Sequence, residues 1–387
     1  MSATDPLSAY AAEVERDLVV CNACRYCEGL CAVFPAMELR RTFTSGELDY
    51  LSNLCHNCGA CYYDCQYAPP HELAINLPQA MAGLREETYA RYAWPGALGP
   101  IFERNGVWLA TLAALFVAVF IGGFMAWKDP AVLFATHVGE GAFYRIMPHN
   151  AMALIFGGAF LFAILATALS VRKFWRAGGP VSGLSLAALG RAFHDAATLR
   201  YLDGGGMGCM NEDDRPEEKR RLYHHFTFYG FMLCFASTSL ATLFHYAGVE
   251  APYPLWHPVV LLGTAGGIGL VVGPLGLLAT RARRDPAIAS PSSGRGSRDM
   301  GTAFILMLVA TSATGLLLLA LRSTPAMGVM LALHLGVVFA FFLTLPYSKF
   351  VHGLYRTAAL VRHAHEQRMA HGAPARPEPA PPVRRAA

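Results

Sequence analysis

The sequence predicts an all-α protein: an N-terminal helical head joined to a six-helix transmembrane bundle. Three observations lead there. Two four-cysteine runs lie near the start, separated by a long stretch of helical pattern. Six apolar stretches follow, each near the 20 or so residues a helix needs to cross a bilayer. Hydrophobic residues make up 54% of the 387 and charged residues only 15%, with a mean hydropathy of +0.34, which is too apolar for a soluble chain of this size.

Residues 1–20 are polar and read as an amphipathic helix; without an apolar core they do not resemble a secretory signal. The first cysteine run is Cys21, Cys24, Cys27 and Cys31, and the second is Cys55, Cys58, Cys61 and Cys65. Both have the spacing C-x2-C-x2-C-x3-C, which holds a [4Fe–4S] cubane. Three closely spaced thiolates wrap three iron corners, and in two-cluster proteins the fourth ligand comes from the other run. The expected sets are Cys21, Cys24, Cys27 and Cys65 for one cluster, and Cys55, Cys58, Cys61 and Cys31 for the second. Zinc usually takes separated pairs, and disulfides need an oxidising compartment. The proline that commonly follows the last cysteine is absent, with Ala32 and Gln66 in its place. The linker 32–54 reads as helical around 36–41 and 46–53. An α-helical ferredoxin-like two-cluster domain over residues 1–92 is therefore expected, its last helix spanning 71–92.

Residues 93–105 contain Trp94, Pro95, Gly96, Gly99 and Pro100 and read as an interfacial linker. The bundle, 106–365, has expected spans at 107–127, 151–171, 224–247, 258–280, 301–321 and 327–347. Charge sets their orientation. Residues 1–105 carry 7 basic and 13 acidic side chains, whereas the rest carry 24 and 14. Segments 172–222, 281–300 and 348–387 hold 21 Lys and Arg, against 3 in 128–148, 248–256 and 322–326. Lys and Arg collect on the cytoplasmic side. Both termini are thus expected in the cytoplasm of a bacterial cell, with the bundle in its inner membrane and the head in a reducing compartment.

The 172–222 loop is long, with a surface helix expected at 184–199 that puts Arg191 and His194 outward. Four glycines within 204–208 lack the strand and Gly-Lys of a phosphate loop. They read as a flexible turn or as a place where another backbone or a quinone head comes close. Cys209 reads as a structural thiol and Cys234 as a small packing residue. Residues 366–387, rich in Pro, Ala and Arg, are expected to be a disordered tail.

Ionisable residues inside membrane spans are costly and point to function. His334 and His352 are 18 residues apart, five turns of one helix if it continues through Pro346. The third span offers His224 and His225 at its inner end and His245 at its outer end. On a helical wheel His224 lies nearer the face of His245 than His225 does. Depth pairs His224 with His352 inside and His245 with His334 outside. Two histidines from facing helices can ligate haem iron axially, so one or two haem b groups are expected, with His225 the weaker ligand candidate. His137, His149 and His257 read as interface residues.

The two cysteine runs, the segment from Leu222 to Thr238 and the glycine-rich stretch 263–276 resemble the tricarballylate utilization protein B family, also called citrate utilization protein B. The spacing of His334 and His352 is similar to that of the haem-binding subunit of membrane nitrate reductases. The resemblance implies a protein that takes electrons from an FAD-dependent tricarballylate dehydrogenase-like partner. It would pass them through its clusters and haem b to the quinone pool. The chain carries no dinucleotide fingerprint, so the dehydrogenase is expected to be another chain, and no nucleic-acid partner is expected. Two other readings share the residues: a quinol-oxidising subunit feeding a heterodisulfide-reductase-like partner, and a membrane redox sensor.

Overall fold

The computed structural model describes residues 7–206, 208–293 and 299–372. The head starts with α1 (Ala9–Cys24), where the Ser8 hydroxyl accepts from the Ala11 amide as an N-cap. It continues through α2 (Val33–Glu38), α3 (Ser45–Leu54), α4 (Ala60–Tyr63) and α5 (Leu77–Tyr92). Thr44 and Glu47 close a capping box on α3. Leu18, Met37, Leu48, Leu51, Met81 and Leu84 are fully buried between these helices.

A 3-10 segment, Gly96–Arg104, leads into α6 (Asn105–Trp127). Two short helices follow, α7 (Pro130–Leu133) and α8 (Ala142–Ile146), then α9 (His149–Ala177) and the surface helix α10 (Leu186–Ala197). The rest comprises α11 (Lys219–Tyr246), α12 (Pro258–Ala282), α13 (Met300–Leu321), α14 (Met327–Thr344) and α15 (Val351–Gly372). Among the described residues, six helical stretches are long and apolar enough to cross a membrane. The strands among them are Cys209–Met210 and Pro216–Glu217, paired antiparallel. The all-α architecture is the one expected.

Outward-facing side chains in the bundle are apolar: Leu154 is 78% exposed and Leu243 66%. Water would penalise such a surface; lipid does not. Inside, α11 and α12 approach through glycines. A Cβ on Gly266 would lie 2.8 Å from the Gly230 carbonyl and from the Cys234 amide and sulfur.

Three elements differ from expectation. The first helix is no separate lead-in, since its last turn carries Cys21 and Cys24. The helix expected at 71–92 begins at Leu77, behind the Asn76 cap and with Pro78 in its first turn. The last span does not run through Pro346. Proline has no N–H to donate and crowds the preceding turn, so α14 stops at Thr344, a 3-10 turn covers Leu345–Tyr347, and α15 starts afresh. His334 and His352 therefore sit on different helices. α15 also passes the expected boundary at 365. Its Tyr355, Ala359 and Leu360, each 1% exposed, share one core with α3 and α5. Arg40 grips the Glu366 carboxylate with both guanidinium nitrogens, at 2.6 and 3.2 Å. The tail expectation for 373–387 lies outside the described residues, as does Met207 in the glycine loop.

Candidate functional site: two cysteine groups against the membrane helices

The last turn of α1 presents Cys21 and Cys24. Arg25 then takes a left-handed conformation (φ 57°), and its amide bonds the Cys21 carbonyl at 2.8 Å, which stops the helix and brings Cys27 back. Cys55 is the C-cap of α3. Gly59, at φ 91°, turns the chain into α4, where a Cβ would lie 2.5 Å from the Met210 carbonyl, so only glycine fits. Cys61 lies on α4 and Cys65 just after it.

The fold crosses the two runs. Cys21, Cys24, Cys27 and Cys65 line one cavity, together with Phe34, Ile75 and Cys61 of the second run. Burial first, then the neighbouring carboxylate of Asp17 and the thiols of Cys27, Cys65 and Cys24, push Cys21 up to about 12. Burial and then Cys65 do the same to Cys27. Cys31, half-buried, is pushed up by burial and then by Cys58 and Cys55 of the other run. Cys61 is pushed up by burial and then by Cys58, Cys31 and Cys55. The last cysteine of each run thus meets the first three of the other.

These surroundings fit clusters. Packed apolar walls and like-charged neighbours disfavour free thiolates, and bound iron reverses that balance by supplying positive charge. Backbone N–H groups serve the sulfurs: Tyr67 and Ala68 at Cys65, Val33 and Phe34 at Cys31, and Asn57 at Cys55 at 3.3 Å. All ten cysteines are free of disulfides. Among the described residues no three His, Cys, Asp or Glu side chains converge as ligands of one ion. Cubane thiolates instead ring four separate irons.

The second run carries features that spacing did not reveal. Arg85 donates to the Cys55 carbonyl, as does Arg356 at 2.8 Å. Arg220 reaches the Asn57 carbonyl at 2.6 Å and the Cys209 sulfur at 3.4 Å. Arg284 bonds the Asn57 carbonyl and side chain at 2.8 and 2.9 Å. Burial, and then the Arg220 cation, push Arg284 down to about 9. Cys209 is buried, with its sulfur 3.4 Å from the Cys58 carbonyl. The glycine loop is a close approach, since a Cβ on Gly205 (φ 79°) would lie 3.1 Å from Leu30 Cα. His56, neutralised by burial and then by Arg356, holds the Leu54 carbonyl at 2.9 Å.

Of the two expected histidine pairs, the structure brings one together and not the other. His224 of α11 and His352 of α15 meet, with ring centroids 6.0 Å apart and planes at 75°. Two imidazoles sharing one metal at about 2.0 Å each need roughly this separation. His352 Nδ1 bonds the Lys349 carbonyl, which leaves Nε2 free, the usual arrangement of a metal-binding histidine. His224 Nδ1 is buried without a partner. The two rings are spaced as a facing pair of nitrogen donors. His245 instead stacks on His149 at 3.4 Å and 20°, too close for an iron between them. His334 bonds the Thr314 hydroxyl at 3.0 Å and packs on Gly315. The outer pairing of His245 with His334 thus has no counterpart in these contacts. His225 lies beside Tyr229, His257 caps α12, and His137 bonds the Val132 carbonyl at 2.7 Å.

The citrate utilization protein B family model matches residues 102–373, and its Fer4-like domain model matches residues 14–91. Citrate utilization protein B of Escherichia coli is 52% identical over 359 residues, covering 92% of this chain and 93% of that protein. No solved structure gives a significant match. A Fer4-like domain joined to long apolar helices suggests an iron–sulfur electron-transfer role. The chain belongs to the citrate utilization protein B family.

Proposed function

We propose that this chain is the membrane electron carrier of a dehydrogenase–quinone system. An FAD-dependent dehydrogenase acting on a tricarboxylate such as tricarballylate docks on the head, and the quinone pool is the acceptor. Cys21, Cys24, Cys27 and Cys65 would hold one [4Fe–4S] cluster, Cys55, Cys58, Cys61 and Cys31 the second, and His224 and His352 a haem b. When bound, these groups accept and release single electrons, which splits the electron pair of a reduced flavin.

The chain's own residues do the positioning. The thiols of the first group are half-buried beside Phe34, Ile75 and Leu77, and Cys55 and Cys58 of the second are buried, which limits the access of water. Thr44, Ser8 and Asn76 cap the helices that carry or flank the cysteines. One observation carries the reading. Arg220 and Arg356, each one helical turn from His224 and His352, both bond the loop bearing Cys55 and Cys58. Cysteine group and histidine pair are therefore neighbours through two side chains. In this reading both termini face the cytoplasm, where the partner flavoprotein is soluble.

The test is anaerobic purification followed by absorption and EPR spectroscopy, then quinone reduction with reduced flavoprotein. Two cubane signals, a low-spin haem spectrum and quinone reduction dependent on this chain are expected. A cofactor-free protein, or full quinone reduction without it, would overturn the proposal.

A further inference from the structure

We propose that four arginines make the second cysteine group the high-potential end of the head, so that electrons run from the first cluster to the second and on toward the bundle. This rests on the cluster reading above.

Arg85 comes from α5, Arg220 from the start of α11, Arg284 from the segment after α12, and Arg356 from α15. Elements far apart in the chain thus send cations to the three-residue loop Cys55, His56 and Asn57. None of the four has an ion-pair partner within 4.0 Å among the described residues, although Arg91, Arg281 and Arg283 nearby in the chain do. Arg85 is buried and the other three are half-buried, and cations withdrawn from water without an ion-pair partner are costly unless an anion lies close. A cubane with four thiolates is a net anion and becomes more negative when reduced. The cations therefore stabilise the reduced state and raise its potential.

The first group has the opposite surroundings. The Asp17 carboxylate, buried and bonded to the Asn76 amide at 3.2 Å, faces Cys21 and Cys65. Asp64 faces Cys27. Arg16 pairs with Asp17 from its exposed side at 2.7 Å, and Arg25, the one cation lining this cavity, is held by the Asn22 carbonyl at 3.0 Å. Negative charge here disfavours reduction and lowers the potential. The step is a plain electron transfer: the first cluster loses one electron and the second gains it, with no bond made and no proton moved.

The experiment is an EPR-monitored redox titration of the full chain in detergent at pH 8, with each signal assigned through Cys24→Ser and Cys58→Ser variants. In wild type the second cluster should have the higher midpoint. Arg220→Gln and Arg284→Gln should each shift its one-electron equilibrium about tenfold toward oxidation, 59 mV, and leave the first cluster in place. Arg220→Lys should stay near wild type, and Asp17→Asn should raise the first midpoint alone. Midpoints in the reverse order, equal shifts in both clusters, or no shift in the Gln variants would overturn the proposal. If a Gln variant loses its cluster, the wild-type order and Asp17→Asn still decide. Absence of cubane signals from wild type would instead remove the underlying cluster reading.

Discussion

His224 and His352 face each other at 6.0 Å across two helices that the chain visits far apart. Each is one turn from an arginine that bonds the second cysteine loop, Arg220 in α11 and Arg356 in α15. The pair therefore marks the place where head and bundle are joined.

The first prediction concerns haem. His224→Ala and His352→Ala should each abolish the reduced-minus-oxidised haem spectrum of purified protein. His225→Ala and His245→Ala should retain it, because their rings rest on Tyr229 and His149. Haem loss in the second set with retention in the first would refute the inner site.

Cluster ligation should be crossed. Cys31→Ser lies in the first run but should delete the EPR signal of the second cluster and about half the bound iron, since Cys31 is beside Cys55 and Cys58. Iron analysis with EPR on the same sample distinguishes this from loss of the first signal.

Gly266→Leu should separate α11 from α12. A Cβ there already meets Gly230 and Cys234 at 2.8 Å, and overpacking of this kind costs about 1–3 kcal/mol or more. Because α11 carries His224, haem content should fall together with the thermal midpoint, while head iron is retained. Normal haem content would argue against this packing.

Glu366→Ala should loosen the head from α15. The carboxylate accepts from both nitrogens of Arg40 and from the Tyr50 hydroxyl at 3.2 Å. Losing a partly buried bidentate pair should cost about 2 kcal/mol. Limited proteolysis should then cleave near residues 39–44 faster than in wild type, and Glu366→Gln should be intermediate.

Much of this protein was legible in the chain because it is written locally. Ligand spacing of three residues, a run of 20 apolar residues and the count of arginines in loops are each short-range properties. Cys21 to Cys65 and the six spans follow from them. Helical geometry alone sets His224 nearer the face of His245 than His225, since all three sit on one continuous helix. His334 could not be handled in this way. Its spacing to His352 crosses Pro346, where the backbone loses a donor and the helix ends before a new one starts.

What tertiary structure decided is which distant groups meet. Stacking of His149 on His245, seating of Cys209 beside Cys58, and convergence of Arg85, Arg220, Arg284 and Arg356 on one loop have no periodic signature. Each depends on how helices pack, and packing sums many weak contacts between residues hundreds of positions apart. The sequence by itself determined the kind of ligand and the medium it sits in. The three-dimensional arrangement determined the charge around each ligand set, because Coulomb interaction depends on distance through space and not on separation along the chain.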